Sequence, residues 1–342
     1  MRNGRFNCTN VCGTIRPKKN NTIDLRFLAY HLNQITKRYV SYHGNPKLMN
    51  DIMASIAITT PPYEAQRAIA TIIDSIDNAI HHTEQMIEKL QRVKVGLLHD
   101  LLTCGLDENG ELRDSIRHPE QFKDSPLGRI PKPWEVDVLG SLVQELLAGV
   151  SVNAWDKPAG AHEVGVLKTS AVNSGRFYPE ENKTVIPRDV RRVACPVTAE
   201  TIIISRMNTP VLVGESGYVD QGAPDLYLPD RLWKTVMRKD KDCCVKWLSY
   251  VLNWQPIRQK IRDGATGTSG SMKNISKGTL LSIQFAIPSY DEQLHITKVL
   301  EEYDYATTQE LTLLGKLKLA KQGLMRDLLT GNVRVPEGAI CL

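Results

Sequence analysis

A stretch of forty-three residues occurs twice in this chain, without a gap, 227 positions apart. Pro61, Tyr63, Gln66, Ile69, Lys94, Gly96 and Asp100-Leu101-Leu102-Thr103 return as Pro288, Tyr290, Gln293, Ile296, Lys321, Gly323 and Asp327-Leu328-Leu329-Thr330, with five further identities between them. Fifteen identities spread over positions 61 to 103 mark a duplicated module, because a period this long exceeds that of any solenoid unit. Whatever the chain folds into must therefore contain one piece of structure built twice.

Each copy keeps a seven-residue register of apolar residues, which predicts a long helix. Position a holds Ile69, Ile76, Leu90 and Leu97 in the first copy and Ile296, Tyr303, Leu317 and Leu324 in the second. Position d holds Ile72, Ala79, Met86 and Val93, then Val299, Ala306, Leu313 and Ala320. A single polar break falls at Thr83 and at Glu310, the same place in each, and in an antiparallel pair the two would face one another. Helices of about 38 residues at ~1.5 Å per residue are rods of roughly 57 Å. A structural pair or an oligomerisation coil would use such rods. Their identical endings, Leu-Leu-Thr before Cys104-Gly105 or Gly331-Asn332, favour a spacer of fixed length.

With 342 residues the chain has room for two domains. Charged residues at 24% and hydrophobic ones at 42% are ordinary for a folded protein, and a net charge of +5 permits nucleic-acid binding without requiring it. Seven cysteines, at 8, 12, 104, 195, 243, 244 and 341, form neither a Cys-x-x-Cys pair nor a zinc-spaced cluster, which reads as reduced thiols. No apolar signal core opens the sequence and no apolar run reaches membrane length, so a cytoplasmic protein without a membrane partner is expected.

Taken in order, residues 24 to 39 predict a short helix, followed by a Gly-Asn-Pro turn at 44–46 and an apolar strand over 52–58. Phe27-Leu28-Ala29-Tyr30 resembles Trp247-Leu248-Ser249-Tyr250, each shortly before the proline that opens a repeat helix, so the duplication extends upstream. After the first helix, residues 106–124 read as an exposed linker. β-branched segments then begin: 165–168, 184–186, 201–205, 211–213 and 232–237. A helix over 245–261 and a Gly/Ser-rich loop over 264–271 precede the second copy.

Two motifs hint at chemistry. Thr60-Pro61-Pro62-Tyr63 resembles the Asn/Asp-Pro-Pro-Tyr motif of amino methyltransferases, but Thr60 lacks the planar carbonyl that accepts the target amino group, and the second copy reads Ile287-Pro288-Ser289-Tyr290. The proline pair instead suits a helix start. The 264–271 loop lacks the Gly-Lys-Ser/Thr order of a nucleotide loop. Its small residues leave backbone N–H groups open to phosphate, and its neighbours Arg258, Arg262, Lys273, Asn274 and Lys277 are cationic or polar. With Lys168 and Arg206 among the strands, these seven are the candidate DNA-binding residues, against a plainer reading as solvated charge. No catalytic constellation and no metal site emerges.

These motifs together carry a family resemblance. The proline-led helix ending in Gly96-Leu97-Leu98-His99-Asp100-Leu101-Leu102-Thr103, then Leu106-Asp107-Glu108-Asn109-Gly110, then Phe122 to Val136 with Ile130-Pro131-Lys132-Pro133-Trp134-Glu135, a variable domain, and a second such helix resemble the specificity subunit of type I restriction-modification systems over essentially the whole chain. The resemblance implies an α+β fold. Residues 1–60 would be the C-terminal remnant of a first target-recognition domain, 61–105 a spacer helix, 106–124 a linker, 125–287 a complete recognition domain of mixed strands and helices, 288–330 a second spacer helix packed antiparallel on the first as a coiled coil, and 331–342 a tail.

It implies a non-catalytic subunit that reads one half of a bipartite double-stranded DNA target and docks modification subunits, the N6-adenine methyltransferases, to which a restriction/translocase subunit is added. The chain itself would bind no cofactor. S-adenosylmethionine, ATP and Mg belong to the partners. Aligning Leu28 with Leu248 places Met1 opposite Gln221, so a counterpart of residues 125–220 is expected to be lacking from the first recognition domain, which admits a second copy or fragment as a further partner. A coiled-coil scaffold or general DNA-binding module without a modification partner is the competing expectation.

Overall fold

The computed structural model describes residues 14–16, 18–19, 21–42, 46–269 and 271–335. The expected turn at Gly44-Asn45, Gly270 of the glycine-rich loop, the outermost residues of the first remnant and most of the tail lie outside the described residues. Two compact units form, one of residues 1–91 with 304–342 and one of residues 92–303, so the division falls within both repeat helices.

The helices are α1 (Leu25–Ile35), α2 (Asn50–Ser55), α3 (Tyr63–Thr103), α4 (Val245–Asn253), α5 (Gln255–Asp263), α6 (Lys277–Leu281) and α7 (Tyr290–Leu329). Thus α3 and α7 are the two copies, 41 and 40 residues long. No described helix is long and apolar enough to cross a membrane.

The start of each copy is fixed by the same joint. Gln66 donates through Nε2 to the carbonyl of Pro61 at 2.8 Å, while its Oε1 accepts the N–H of Asp24 at 2.9 Å. Gln293 repeats this with Pro288 at 3.0 Å and with Cys244 at 2.9 Å. Asp24 and Cys244 are in turn the N-caps of α1 and α4, each accepting a backbone N–H with its side chain. Both glutamines are 1% exposed, so four otherwise orphaned polar groups are satisfied at each site inside a dry contact.

In the first unit α1 buries Phe27 against Ile69, Ala70 and Ile73 of α3 and Leu328 and Leu329 of α7. Asp77 pairs with Lys321 at 2.5 Å and Glu84 with Lys318 at 2.9 Å, so advancing along α3 means retreating along α7 and the helices are antiparallel there. These two pairs put Thr83 level with about residue 317 and Glu310 level with about residue 90. The two polar breaks are therefore offset by about one heptad instead of opposed. The expected a/d seam is also corrected. Position d residues Met86, Val93 and Leu313 are 45%, 42% and 44% exposed, whereas Ile73 and Ile87, at position e, are buried. At Ile73 the burial comes from packing against α1 as well as α7.

Residues 52–58 differ from the expected strand. Asn50–Ser55 is a helical turn, with the Ser55 hydroxyl bonded to the carbonyl of Ile52. A strand needs a ladder partner, and none of the described residues supplies one there.

The second unit holds the strands. A six-stranded sheet runs in the order Val143–Ala148, Leu232–Met237, Thr201–Ser205, Ser216–Val219, Gly175–Phe177, Val172–Asn173. A five-stranded sheet is built around Gly165–Leu167 and Asn182–Val185. The expected strand 211–213 is a turn that begins after Pro210 and closes at Gly214, where φ is +79°. Proline withdraws a ladder donor there, and the positive φ suits glycine. The core of this unit gathers Trp134, Trp233, Trp247 and Phe285 with Leu97, Leu101 and Leu102 of α3 and Ile296, Val299 and Leu300 of α7.

Residues 106–124 are more than an exposed connector. Leu106 bridges to Leu112, and Phe122–Ser125 forms a hairpin with Gly128–Pro131. Arg113 is drawn inward to Glu292 of α7, 2.6 Å away.

Candidate nucleic-acid interface

The glycine-rich segment is a hairpin. Thr266–Ser269 pairs antiparallel with Met272–Asn274, which pairs in turn with Met207–Asn208, giving a three-stranded sheet. Gly267 allows the tight approach, since a Cβ there would crowd the Met272 carbonyl. The phosphate-cradle expectation for a free loop is thus replaced by a ladder that occupies backbone groups of 266 and 274.

This small sheet brings together three of the seven candidates. Asn208 lies opposite Lys273 and Met207 opposite Asn274. Arg206 donates its Nε to Asn274 Oδ1 at 3.4 Å and stacks on the Trp233 ring, 5.5 Å from its centroid. Stacking and the side-chain hydrogen bond limit the rotamers of the guanidinium, leaving its terminal N–H groups to a ligand. Asn208 was not singled out in the sequence, because nothing local distinguishes an asparagine on a two-residue edge strand.

Arg262, in the last turn of α5, has its Nε buried with no hydrogen-bond partner among the described residues. Such an orphan costs about 1–3 kcal/mol. Arg258, one turn earlier, has a different fate. Its guanidinium is ion-paired with Glu215, a carboxylate 3% exposed that also accepts the N–H of Ser174 at 2.8 Å. Burial, with Arg262 nearby, pushes the Arg258 pKa down.

Lys168 lies apart, at the end of the strand Gly165–Leu167, with its ammonium 3.8 Å from Glu181. Lys277 is exposed at the start of α6. Of the other cations, Arg192 pairs with Asp189, and Arg238 donates to the carbonyl of Gly140 at 2.9 Å. The Asp189 pKa is depressed first by the Asn153 backbone N–H it accepts and then by that arginine. No group of three or more metal-competent side chains occurs among the described residues. Burial lifts the Cys243 thiol to about 12, far from the reactive range.

The arrangement can place cations, an amide and backbone on a polyanion; nothing in it resembles an acid–base or nucleophilic pair. Residues 1–92 match the family model of the type I restriction modification DNA specificity domain. The chain is 26% identical over 326 residues to the type I restriction enzyme MjaVIII specificity subunit of Methanocaldococcus jannaschii, spanning 93% of this chain and 72% of that one. It is 28% identical over 331 residues to the putative MjaX specificity subunit of the same organism, spanning 94% and 71%. In fold it is similar to the crystal structure of the type I restriction-modification S subunit from M. genitalium, with a TM-score of 0.58 at 14% identity over 91% of this chain and 74% of that one.

Proposed function

We propose, for a chain that belongs with the type I restriction-modification specificity subunits, that it reads one half of a bipartite DNA target and docks adenine-methylating modification subunits on its repeat helices. The three-stranded sheet carrying Arg206, Asn208, Lys273 and Asn274 supports the reading most directly. Arg206 and the asparagines have the planar, bidentate chemistry that addresses guanine and adenine edges. Lys273 and Lys277 are suited to phosphate, which positions a protein on the duplex without reading it. Arg262, in the last turn of α5, is left its terminal guanidinium N–H groups for a phosphate, since its Nε is buried. Arg258 serves the fold by satisfying Glu215, and Lys168 contributes at the margin.

Docking is supported by what the helices leave uncovered. Met86, Val93, Val95, Leu311, Leu313 and Leu319 are each more than 40% exposed on α3 and α7. Large apolar side chains exposed to water in this number suit a partner. The methyl transfer and any cleavage belong to those partners, which supply S-adenosylmethionine, ATP and Mg; this chain supplies the address.

The test is to express the chain with an adenine methyltransferase partner and map N6-methyladenine across the host genome. A split target in which one half changes when Arg206 or Asn274 is substituted is expected. Methylation that ignores those changes, or none with an active partner, would count against the reading.

A further inference from the structure

The turn that follows Met207–Asn208 is apolar at its tip and fastened at its base. From Thr209 to Gly214 no side chain is charged. Val211 is 66% and Leu212 38% exposed, whereas Val213, the next residue, is 2% exposed and packs into the core of the second unit. The N–H groups of Leu212 and Val213 both donate to the Thr209 carbonyl, at 3.0 and 2.9 Å, and that of Gly214 donates to the Ser205 carbonyl at 2.8 Å. Asn208 closes the near side, accepting the Thr209 N–H at Oδ1 and donating through Nδ2 to the Ser205 hydroxyl. A Cβ at Gly214 would strike Ile261, so the far side lies flush against α5. The shape of the tip is therefore set before any ligand arrives, which spares the ordering cost of binding.

A single apolar side chain on a surface needs no explanation. Two in succession on a pinned turn, directly after the sheet that carries Arg206, Lys273 and Asn274, point to a ligand with apolar and polar groups side by side. Val211 stands three residues beyond Asn208, within ~11 Å of chain, and the major groove of DNA is ~12 Å wide. A sheet that sets Arg206 and Asn274 on base edges there brings the turn into the same groove. The apolar group on a base edge in that groove is the C5-methyl of thymine, which the other three bases lack.

We propose that Val211 and Leu212 are specificity-determining residues that close on a thymine methyl beside the base pair addressed by Arg206 and Asn274, an inference that rests on the DNA reading proposed above. Burying the methyl against the pinned tip favours thymine over cytosine at that position, and Asn208 holds the tip in place from the adjoining strand.

The experiment uses the full chain with its modification partner and duplexes carrying the half-site mapped by methylation. Each thymine is replaced in turn by deoxyuridine, a change that removes the methyl alone. At one of these positions the parent should bind the deoxyuridine duplex about fourfold more weakly, the worth of one buried methyl. The double variant Val211→Ala, Leu212→Ala should bind the two duplexes equally, and its fold should survive because both side chains are exposed. Arg206→Ala, with the tip intact, should bind more weakly yet keep the preference for thymine. Deoxyuridine tolerated everywhere by a parent whose binding still depends on Arg206 overturns this inference alone. Indifference to both deoxyuridine and Arg206→Ala removes the DNA reading by this sheet, and this inference with it. The inference is also overturned by a double variant that keeps the parent's preference for thymine, or by a half-site with no thymine on either strand.

Discussion

Trp134 donates its indole N–H to Glu292 Oε2 at 3.0 Å, joining the strand-rich part of the second unit to the first turn of α7. The other oxygen of the same carboxylate accepts Arg113 Nη1 at 2.6 Å and the Leu106 N–H at 2.9 Å. Trp134 and Glu292 are 1% and 8% exposed. The segment leaving α3 is thereby bolted to the start of α7. Gly105, at φ +63°, completes the clamp, since a Cβ there would strike both Glu292 and Trp134.

Removing that carboxylate should be costly. Glu292→Ala leaves the Arg113 charge without its carboxylate, with the Cys104 carbonyl as its remaining acceptor, and the buried indole N–H without a partner, and a loss of about 3–5 kcal/mol is expected in urea unfolding. Trp134→Phe, which leaves Glu292 Oε2 only the 3.4 Å hydrogen bond from Arg113 Nη2, should lose about 1–3 kcal/mol. Gly331 stands just beyond α7 as Gly105 does beyond α3, at φ +78° but in open space, so Gly331→Ala should cost far less than Gly105→Ala. Equal costs at the two glycines would refute this assignment of the clamp.

The cations should separate into two behaviours. Lys273→Ala is expected to weaken binding to all DNA sequences alike and to reduce the slope of log K against log salt by about 0.9, the share of one phosphate. Arg258→Ala should instead lower stability, because it strands the buried Glu215, by about 3–5 kcal/mol. Parallel salt titrations and denaturation curves on the two variants decide the matter. A changed salt slope with unchanged stability for Arg258→Ala would return it to the DNA-binding surface.

The first unit should weaken in mild acid. Burial, followed by the nearby Arg38, pushes the His31 pKa below its ordinary value. The unfolded chain then binds more protons than the folded one once the pH falls below about 6.5, so stability declines as pH drops from there toward 5. His31→Val, the residue found at its counterpart Val251, should flatten this part of the stability–pH curve. An unaltered curve in the variant would show that another group carries the dependence.

Much of this architecture is legible in the sequence because duplication converts one observation into two. The paired glutamines, the prolines before them and the helix limits near 63–103 and 290–329 all follow from the repeat. What escapes is what depends on third partners. Heptad spacing places Met86 in a seam, yet it is exposed while Ile87 beside it is buried, and α1 adds a third partner to α3 at Ile69, Ala70 and Ile73. A basic hairpin is readable as a basic stretch. That Arg258 faces Glu215 while Arg206 lies on Trp233 depends on pairings across 43 and 27 positions, which no local pattern records.

The glutamine joints also bear on how such a gene can change. Gln66 with Pro61 and Gln293 with Pro288 fasten whatever precedes them through main-chain groups and a capping residue, and ask little of the side chains beyond. A coding segment cut out between the two joints and spliced in at either one would meet the same hydrogen-bonding fixture. Recombination within the repeated forty-three codons would then exchange the intervening domain whole while leaving the scaffold's fasteners intact.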